Sequence, residues 1–578
     1  MEKSGRDFEA HEVKLVTSAK MRELEQRADA SGNSYGTMME RAGQAAAKAI
    51  AARLDVNAKN IIVLVGPGNN GGDGLVCARY LHDAGARVLL YPWKRTLDDD
   101  DENLQLCLVR NIPLVRAEDD GGFFELLNKV AACDVIVDAL LGTGVARPID
   151  GLLKGLLQAI EREIAKSRSQ LSGLVYLDVW QRSFTQVGNE NEREAALGGP
   201  DSTVRKQNKL IIAIDLPSGL NPDTGAIDPA ALCVDLTVTF AFPKLGQMIF
   251  PGAQAVGELI VADIGIPAEW ANDVEIQVAS ARDIAARLPI RHRDSHKGTY
   301  GKAMICAGSL NYTGAAYLSA MAATHAGTGL VTLALARTIY PFVASAAHET
   351  TFVPLPDANG ILIPTAARTL QKNLAVYDAL LIGPGLGRNA KTVEFVQHVL
   401  GLGEKKSPLN SYLQREVKGI VIDADALYAL AQSGEWWKLI QANTAILTPH
   451  PGEMATLCGL KLDEIQGDRI ATAKRFAQAW QQVVILKGAD SVVAAPDGRI
   501  TLIPFATPAL ATAGTGDVLA GTIAAMLAQG LEIYDAAVVG AYVHGCAGKI
   551  AEEEIGLAGV VAGDLLTRLP QAIRRINK

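Results

Sequence analysis

Several features that would assign this chain of 578 residues to other protein classes are missing. No segment runs for about 18 uncharged apolar residues, the length that a membrane helix needs. The first residues, Met1–Glu12, are charged and lack the apolar core of a signal peptide. The formal net charge is −8, whereas binding to a nucleic-acid backbone needs a basic surface. We therefore expect a cytoplasmic protein without a membrane or nucleic-acid partner.

Cysteine and nucleotide-binding motifs are also scarce. The seven cysteines are scattered singly, mostly among apolar neighbours, and no Cys-x-x-Cys occurs, so we expect reduced core residues. A P-loop is absent as well, because the nearest candidate, Gly298–Lys302, has the wrong spacing. If the protein binds phosphate, it must do so through a structure other than a P-loop.

The composition indicates an α/β enzyme with two domains. Apolar residues make up 49% of the chain and charged residues 20%, and the 55 glycines suit buried strands that run into glycine-rich loops. One hydrophobic core rarely grows beyond about 250–300 residues. We expect domains at 1–270 and 297–578, a linker at 271–296 that is rich in Pro, Asp, Arg and His, and an insertion at 171–207.

The first domain is predicted to be a Rossmann-like, doubly wound sheet that follows amphipathic helices at Met21–Ala28 and Met38–Leu54. Its predicted buried strands are Ile61–Val65, Arg87–Tyr91, Val135–Ala139, Leu210–Asp215 and Leu236–Phe240.

A second α/β pattern starts after the linker, and its glycine motifs differ from those of the first domain. Its predicted strands are Lys302–Ala307, Leu330–Ala336, Ala379–Gly383, Gly419–Asp423, Thr444–Leu447 and Val483–Lys487, with a hairpin near Ser491–Phe505.

A glycine loop, Gly66–Gly74, follows the first strand and matches the dinucleotide fingerprint Gly-x-Gly-x-x-Gly. The acid that would hold a ribose is missing, because the next strand ends in Trp93, Lys94 and Arg95. Those residues suit a 2′-phosphate, so a redox domain stays as an alternative. The polar residues Asn69, Asn70 and Asp73 favour a different ligand.

Two other predicted strand ends carry Asp138 and Asp215, each shortly before a glycine turn. Because the carboxyl ends of parallel strands converge on one crevice, Asn70, Asp138, Asp215 and Ser218 are expected to meet around a ligand. Oxygen donors of this kind can hold a monovalent or divalent cation, although an Asp before Gly is more often a turn former.

These motifs, Asn69–Gly74, Asp138–Gly144 and Ala213–Gly219, together with Met39–Gly43, resemble the NAD(P)H-hydrate epimerase family. The resemblance implies that Asp215 is the acid or base at the hydrated nicotinamide carbon and that Asn70, Asp138 and Ser218 bind K⁺. The insertion departs from the family pattern. The residues implied to bind the hydrate are Asn69, Asn70, Gly71, Gly72, Asp73, Gly142, Thr143, Gly144, Val145, Ala146, Arg147 and Pro148.

In the second domain, Ala513–Gly521 places Asp517 between a glycine-rich turn and an apolar helix. Backbone N–H groups at such a helix start can hold phosphate, and an acid there can take a proton from an attacking hydroxyl. An isolated acid at a helix start is often only a cap, but the glycines on both sides favour a site. Lys487, at a predicted strand end, can reach a nucleotide, and His450 lies between two prolines.

The motifs His296–Gly298, Gly314–Ala315, Gly383–Gly387, His450–Glu453, Lys487–Asp490 and Gly514–Asp517 resemble the ribokinase-like dehydratases of NAD(P)H hydrates. By that resemblance Asp517 is the base, and Ala315, Gly387, His450 and Asp517 contact the hydrate. Thr456 stands where the family often has arginine. The residues implied to bind the nucleotide are Lys487, Gly488, Ala489, Asp490, Ser491 and Gly516.

The two resemblances together predict a bifunctional repair enzyme with K⁺ in the first domain and Mg²⁺ with ADP in the second. Its small-molecule substrates would be the hydrates NADHX and NADPHX, and ADP would be converted to AMP and phosphate. We also expect a homo-oligomer. The alternative is a ribokinase-like small-molecule kinase with a non-catalytic nucleotide-binding N-terminal domain.

Overall fold

The computed structural model describes residues 13–96, 100–144, 148–166, 209–402 and 417–578. These residues divide into two compact units, one of Leu15–Asp273 and one of Val274–Lys578 together with Val13–Lys14. Both units are α/β, which confirms the predicted fold class. The predicted insertion at 171–207 lies outside the described residues.

The first unit contains a six-stranded sheet of order β3-β2-β4-β5-β6-β7, in which every neighbouring pair is parallel. The five predicted strands are confirmed, and a sixth at the sheet edge was missed because it is largely exposed. The strands are β2 Asn60–Val65, β3 Arg87–Pro92, β4 Val135–Ala139, β5 Leu210–Ile214, β6 Leu236–Phe240 and β7 Glu258–Ala262.

Helices cover both faces of this sheet. On one face Ile62, Leu64 and Ile136 pack against Leu156 and Ile160 from the helical residues 151–166. On the other face the helix at Asn69–Asp83 approaches β2 and β4 through Gly74, where an added Cβ would lie 2.5 Å from the Ala139 side chain. The remaining helices are Ser18–Ala30, Tyr35–Ala51, Glu102–Val109, Phe124–Ala132 and Gly252–Ala255.

The second unit contains an eleven-stranded sheet of order β1-β8-β19-β18-β17-β16-β15-β14-β9-β10-β11. Strands β17 to β11 in this order are mutually parallel, and β17-β18-β19 form the predicted antiparallel hairpin region. The strands are β1 Val13–Lys14, β8 Ile276–Val278, β9 Lys302–Cys306, β10 Leu330–Ala336, β11 Thr351–Leu355, β14 Ala379–Ile382, β15 Gly419–Ile422, β16 Ala445–Leu447, β17 Val483–Leu486, β18 Ser491–Ala494 and β19 Ile500–Ile503.

The predicted linker at 271–296 is structured in part. Strand β8 pairs with β19, and a helix follows at Ala281–Arg287, so the compact unit begins at Val274 rather than at residue 297. A three-residue strand is too short to give a periodic signal, and its polar surroundings in the sequence concealed it.

Two further short strands, β12 Asp357–Ala358 and β13 Ile361–Leu362, form a separate hairpin. The helices of the second unit, besides Ala281–Arg287, are Thr313–His325, Tyr340–Ala344, Ala366–Leu374, Ala390–Leu400, Asp425–Ala431, Pro451–Cys458, Leu462–Gly467, Arg469–Trp480, Thr515–Ala528, Ile533–Ile555 and Ala562–Ile576.

Helix Thr515–Ala528 lies in the core of the second unit, and nearly all of its residues are buried. It packs closely on helix Thr313–His325 at Gly521, where an added Cβ would lie 2.1 Å from the Ser319 carbonyl oxygen. Gly521 is therefore a packing residue. The contact fixes Asp517, one turn earlier, relative to the helix that carries Ala315.

Two smaller expectations concern cysteines and membranes. All seven cysteines are free and five are buried, but Cys233 is exposed and Cys458 is half-buried, so the prediction that all are core residues is wrong for these two. Cys233 lies before β6 and Cys458 is the last residue of helix Pro451–Cys458, so apolar neighbours in sequence do not guarantee burial.

Within the described ranges no helix has the length and apolarity to cross a membrane.

We predict that Gly521→Ala lowers the midpoint of urea unfolding, because its methyl group would overlap the Ser319 carbonyl and force the two helices apart. Such overpacking costs about 1–3 kcal/mol. Gly563→Ala is the matched control, because nothing lies within 4 Å of its added Cβ. Equal midpoints for both variants would contradict the close packing at Gly521.

Candidate active sites

A cavity of about 620 Å³ opens at the carboxyl ends of β2, β4, β5 and β6. The predicted residues that line it are Asn69, Asn70, Asp73, Gly142, Thr143, Gly144 and Asp215. Gly71, Gly72 and Pro148 do not line it: an added Cβ on Gly71 would meet the Gly66 carbonyl, and one on Gly72 would meet the Met39 sulfur. Val145, Ala146 and Arg147 lie outside the described residues.

Asp215 is held by a lysine that the sequence analysis missed. Lys244 Nζ donates to Asp215 Oδ1 at 2.5 Å, and the Thr239 hydroxyl donates to the same oxygen at 3.0 Å. Asp215 has a positive φ of 61°, which ends β5 at Ile214, and Gln247 Nε2 binds its carbonyl oxygen at 2.7 Å. Lys244 is almost completely buried, so its charge is directed at this carboxylate.

The three predicted cation ligands are close to the same sheet edge. Asp138 is fully buried and accepts hydrogen bonds from Ser218 N at 2.8 Å and Ser218 Oγ at 2.6 Å. Burial raises the pKa of Asp138, although these hydrogen bonds favour its ionised form. Asn70 Nδ2 donates to the Leu141 carbonyl at 2.9 Å, while Asn70 Oδ1 is buried and has no hydrogen-bond partner among the described residues.

The unpaired Asn70 side-chain oxygen and the buried Asp138 carboxylate are oxygen donors of the kind that a hard cation requires. The residues present therefore fit K⁺.

In the redox alternative for this domain, Arg95 is one of the residues that would bind a 2′-phosphate. Arg95 Nη1 donates to the carbonyl oxygens of Gly66 at 2.9 Å and Gly68 at 3.2 Å, and its Nε donates to Asp101 at 2.7 Å. Lys94 lies over the Trp93 ring. Because Arg95 braces the glycine loop, it does not present a free guanidinium to a 2′-phosphate.

In the second unit, polar residues follow three neighbouring parallel strands, β15, β16 and β17. Lys487 Nζ, after β17, lies 2.9 Å from Asp423 Oδ1, after β15, and 3.6 Å from Glu453 Oε2. The Thr448 hydroxyl, after β16, donates to Asp423 Oδ1 at 2.7 Å. Burial alone would lower the pKa of Lys487, but Asp423 and Glu453 outweigh it and raise that pKa. Lys487 is a buried cation fixed by carboxylates.

Asp517 lies in the first turn of helix Thr515–Ala528, whose N-cap is Gly514 with φ 90° and which no side chain caps. An added Cβ on Gly516 would lie 3.6 Å from Lys487 Nζ, so the lysine and the glycine turn meet. Burial, reinforced by the negative charge of Asp423, raises the pKa of Asp517 to about 7. Such a group exchanges a proton near neutral pH.

The predicted nucleotide loop, Lys487–Ser491, is braced from outside by Arg469, which donates to the carbonyl oxygens of Leu486 at 3.1 Å and Ala489 at 2.5 Å. The Ser491 hydroxyl donates to the Gly488 carbonyl at 3.0 Å. Burial raises the pKa of Asp490 to about 6. Gly516 and the start of this loop come together at Lys487.

Two of the predicted hydrate contacts are Ala315 and Gly387. An added Cβ on Gly385 would lie 2.7 Å from Ala315 Cβ, and Gly387 N donates to Asp425 Oδ2 at 2.8 Å. Asp425 in turn contributes to the raised pKa of Asp517. Ala315 therefore lies against the Gly383–Gly387 turn, and Gly387 is hydrogen-bonded to an aspartate whose charge acts on Asp517.

His450 caps helix Pro451–Cys458. Its Nδ1 accepts hydrogen bonds from Gly452 N at 3.0 Å and Glu453 N at 3.2 Å, so a neutral ring carries its proton on Nε2. The ring is half exposed and lines a cavity of about 260 Å³ together with Arg388 and Thr456. The Thr456 hydroxyl donates to the Gly452 carbonyl at 3.1 Å and leaves Arg388 as the cation of this cavity.

Mg²⁺ fits this second site only as a nucleotide complex. No group of three or more His, Cys, Asp or Glu side chains is arranged as a metal site in the part of the chain that the structure describes. Mg²⁺ commonly binds through substrate phosphates, water and one or two carboxylates. Asp423 and Glu453 are the carboxylates beside Lys487.

The sequence analysis omitted several charged residues that the structure brings into the two sites: Glu25, Lys244, Asp423, Asp425 and Glu453. Asp423 carried the signal that identified Lys487, a charged residue directly after an apolar strand, whereas Lys244 is separated from the end of β6 by Ala241, Phe242 and Pro243. Glu25 carried none, because it lies on an ordinary amphipathic helix.

Comparison with known proteins gives consistent matches over both units. A family model described as NAD(P)H-hydrate dehydratase matches residues 303–571, and one described as YjeF-related protein N-terminus matches residues 36–172 and 198–246. The second match is interrupted within the predicted insertion.

Over 581 residues the chain is 36% identical to a bifunctional NAD(P)H-hydrate repair enzyme of Moorella thermoacetica, a match that covers 98% of this chain and 97% of that protein. Its identity to the Escherichia coli K12 enzyme of the same name is 32%, over 94% and 91% of the two chains. An ADP/ATP-dependent NAD(P)H-hydrate dehydratase from Bacillus subtilis, co-crystallised with ATP and Mg²⁺, is 30% identical with a TM-score of 0.42, covering 52% of this chain and 98% of that one.

We predict that Asp517→Asn stabilises the second unit more at pH 8 than at pH 5. The folded pKa of about 7 lies above the ordinary value of 3.8, so folded protein holds more protons than unfolded protein between these values. Stability from this group is therefore present at low pH and lost as pH rises through about 7.

The difference in melting temperature between variant and wild type at the two pH values measures this effect. Asp497→Asn, at an exposed aspartate, is the control and should show the same difference at both. A pH-independent difference for Asp517→Asn would show that the carboxyl is ionised throughout.

Proposed function

The chain belongs to the family of bifunctional NAD(P)H-hydrate repair enzymes, and we propose that Asp215 and Asp517 are the catalytic carboxylates of its two activities. The first unit epimerises the R and S hydrates of NADH and NADPH. The second unit dehydrates the S hydrate in an ADP-dependent reaction that releases AMP and phosphate. The observation that carries the proposal is Asp517, an acid with a pKa of about 7 beside Lys487 at an uncapped helix start.

In the dehydratase reaction, the N–H groups at the start of helix Thr515–Ala528 and the Lys487 ammonium bind the terminal phosphoryl group of ADP. Asp517 takes the proton of the C6 hydroxyl as that oxygen attacks phosphorus, and AMP leaves. The C6–O bond then breaks with phosphate as the leaving group, and loss of a C5 proton restores the dihydropyridine ring. Bound Mg²⁺ would neutralise the phosphate charges.

The remaining predicted contacts complete this site. His450 Nε2 offers a donor to the hydrate, Ala315 and Gly387 provide close backbone approach, and the loop Lys487–Ser491 with Gly516 holds the nucleotide. Their support is that Ala315 lies against the Gly383–Gly387 turn, that Gly387 N donates to Asp425, and that Lys487 Nζ lies near Gly516.

In the first unit, Asp215 acts at C6 of the hydrate with its negative charge stabilised by Lys244. Asn69, Asn70, Asp73 and Gly142–Gly144 surround the substrate. Asn70, Asp138 and Ser218 would hold K⁺, which would supply a positive charge near the anionic nucleotide. A cytoplasmic location and a homo-oligomeric state stay predictions from the sequence.

We predict that Asp517→Asn lowers the dehydration rate by roughly 10² to 10⁴ fold, the contribution of a positioned proton acceptor. The assay follows absorbance of the regenerated cofactor with S hydrate and ADP, and Asp497→Asn serves as control. Near-normal turnover would remove Asp517 from the mechanism. Free phosphate should appear together with NAD(P)H, whereas a small-molecule kinase would leave a stable phosphoester.

We predict that Asp215→Ala lets R hydrate accumulate while the S hydrate is still cleared, because only the first unit loses its acid or base. Separated epimers are incubated with ADP and enzyme, and spontaneous epimerisation is subtracted. Glu161→Ala, on an exposed helical position of the same unit, is the control. Equal clearance of both epimers by Asp215→Ala would exclude the proposed role.

A further inference from the structure

We propose that Asp73 is the general acid of the epimerase site and acts as the partner of Asp215. The inference rests on the proposed epimerase function and adds a second proton-transfer group to it. Asp73 and Asp215 line the same cavity, and Asp73 comes from helix Asn69–Asp83 whereas Asp215 follows β5.

The chemistry of the substrate requires two groups. Inverting C6 by exchange of its hydroxyl needs an acid that makes the departing oxygen a water molecule and a base that activates the water added to the opposite face. A single carboxylate cannot hold both protonation states at once. The site therefore needs one ionised and one protonated group.

The surroundings of Asp215 favour its ionised form, whereas those of Asp73 favour its protonated form. Asp215 Oδ1 receives hydrogen bonds from the Lys244 ammonium and from the Thr239 hydroxyl, and both stabilise a carboxylate. The Asp73 carboxyl accepts no hydrogen bond and forms no ion pair within the described ranges. Burial, followed by the negative charges of Asp215 and Glu25, raises the pKa of Asp73 well above its usual range. The missing donors and the neighbouring negative charges both favour the protonated form of this carboxyl.

The position of Asp73 is fixed by packing. An added Cβ on Gly43, in helix Tyr35–Ala51, would lie 2.7 Å from the Asp73 carbonyl and 2.4 Å from Val76 Cβ. The neighbouring Gly72 lies against the Met39 sulfur. These close contacts seat the helix so that Asp73 lines the cavity rather than the interface between the two helices.

Other charged and titratable groups face Asp73 from the packed elements, and the test must separate them. They are Arg22 and Glu25 on helix Ser18–Ala30, Tyr35, Cys77 on its own helix, Asp215 and Lys244. Glu25 is the closest rival, because burial also raises its pKa.

The proton balance closes over one epimerisation. Asp73 gives its proton to the C6 hydroxyl, the C6–O bond breaks, and water leaves a ring cation stabilised by N1. Water then adds to the other face, the new C6–O bond forms, and Asp215 takes the proton released from that water. One water leaves and one is added; Asp73 then regains a proton from solvent and Asp215 releases its proton to solvent, or the reverse reaction restores both.

The test compares Asp73→Asn with Glu25→Gln in the full-length protein, without ADP so that the second unit is silent. We expect Asp73→Asn to lower kcat for conversion of R to S hydrate by roughly 10² fold or more, with KM little changed. The fall in wild-type rate at alkaline pH, where Asp73 loses its proton, should disappear in this variant. Glu161→Gln, at an exposed position of the same unit, should retain both the rate and the alkaline fall, and Glu25→Gln should retain the alkaline fall whatever its rate.

Three outcomes decide the proposal. A near-normal rate in Asp73→Asn, or loss of the alkaline fall in Glu25→Gln instead, would overturn it. Intact folding is checked by circular dichroism and by unchanged dehydration of S hydrate on adding ADP. If Asp73→Asn does not fold, a wild-type rate that does not fall at alkaline pH overturns the proposal by itself. Failure of the epimerase function is recognised separately, because Asp215→Ala would then also be without effect.

Discussion

Each of the two sites depends on a buried lysine paired with an aspartate at the carboxyl end of a parallel sheet. Lys244 pairs with Asp215 in the first unit and Lys487 with Asp423 in the second. Removing one partner from a buried pair is costly because the other charge is left without compensation. The sheet supports the pairs because neighbouring parallel strands release their next residues at one edge. Each lysine–aspartate pair therefore determines where in its site a negative charge is stable. The proposed catalytic groups lie next to these pairs.

The two units place their remaining acids differently around these pairs. In the second unit Asp517 lies within the field of both Lys487 and the carboxylates, and burial leaves it with a pKa of about 7, suited to accept a proton and release it again. In the first unit Lys244 is paired with Asp215, and the Asp73 carboxyl has no hydrogen-bond partner among the described residues. In the second unit, charge pairing and burial thus give one proton acceptor, Asp517, beside the proposed phosphate site. In the first unit, as we infer, they give a separate acid, Asp73, and base, Asp215, beside the hemiaminal carbon C6.

Much of the fold could be predicted from local sequence patterns, and the predictions that failed have clear causes. Buried strands such as Val135–Ala139 and Leu330–Ala336 were located to the residue because continuous apolar runs mark them. Glu258–Ala262 and Ile276–Val278 were missed, since one is largely exposed and the other has three residues. Arg95 was interpreted as a phosphate ligand, but the carbonyl groups of the glycine loop occupy it. The hydrogen-bond partners of a side chain across a loop do not produce a periodic pattern in the sequence.

The sequence by itself determined the family, the α/β class, the glycine turns and the aspartates that follow apolar strands, because each of these is encoded in a short contiguous stretch. The predicted roles of individual site residues stay predictions, but the structure shows which of them lie together. Only the tertiary structure decided that Lys244 meets Asp215, that the charges of Asp425 and Glu453 act on Asp517, and in which direction the pKa of each buried carboxyl is shifted. Protonation depends on burial and on charges summed over neighbours distant in the chain, and no local pattern records that sum.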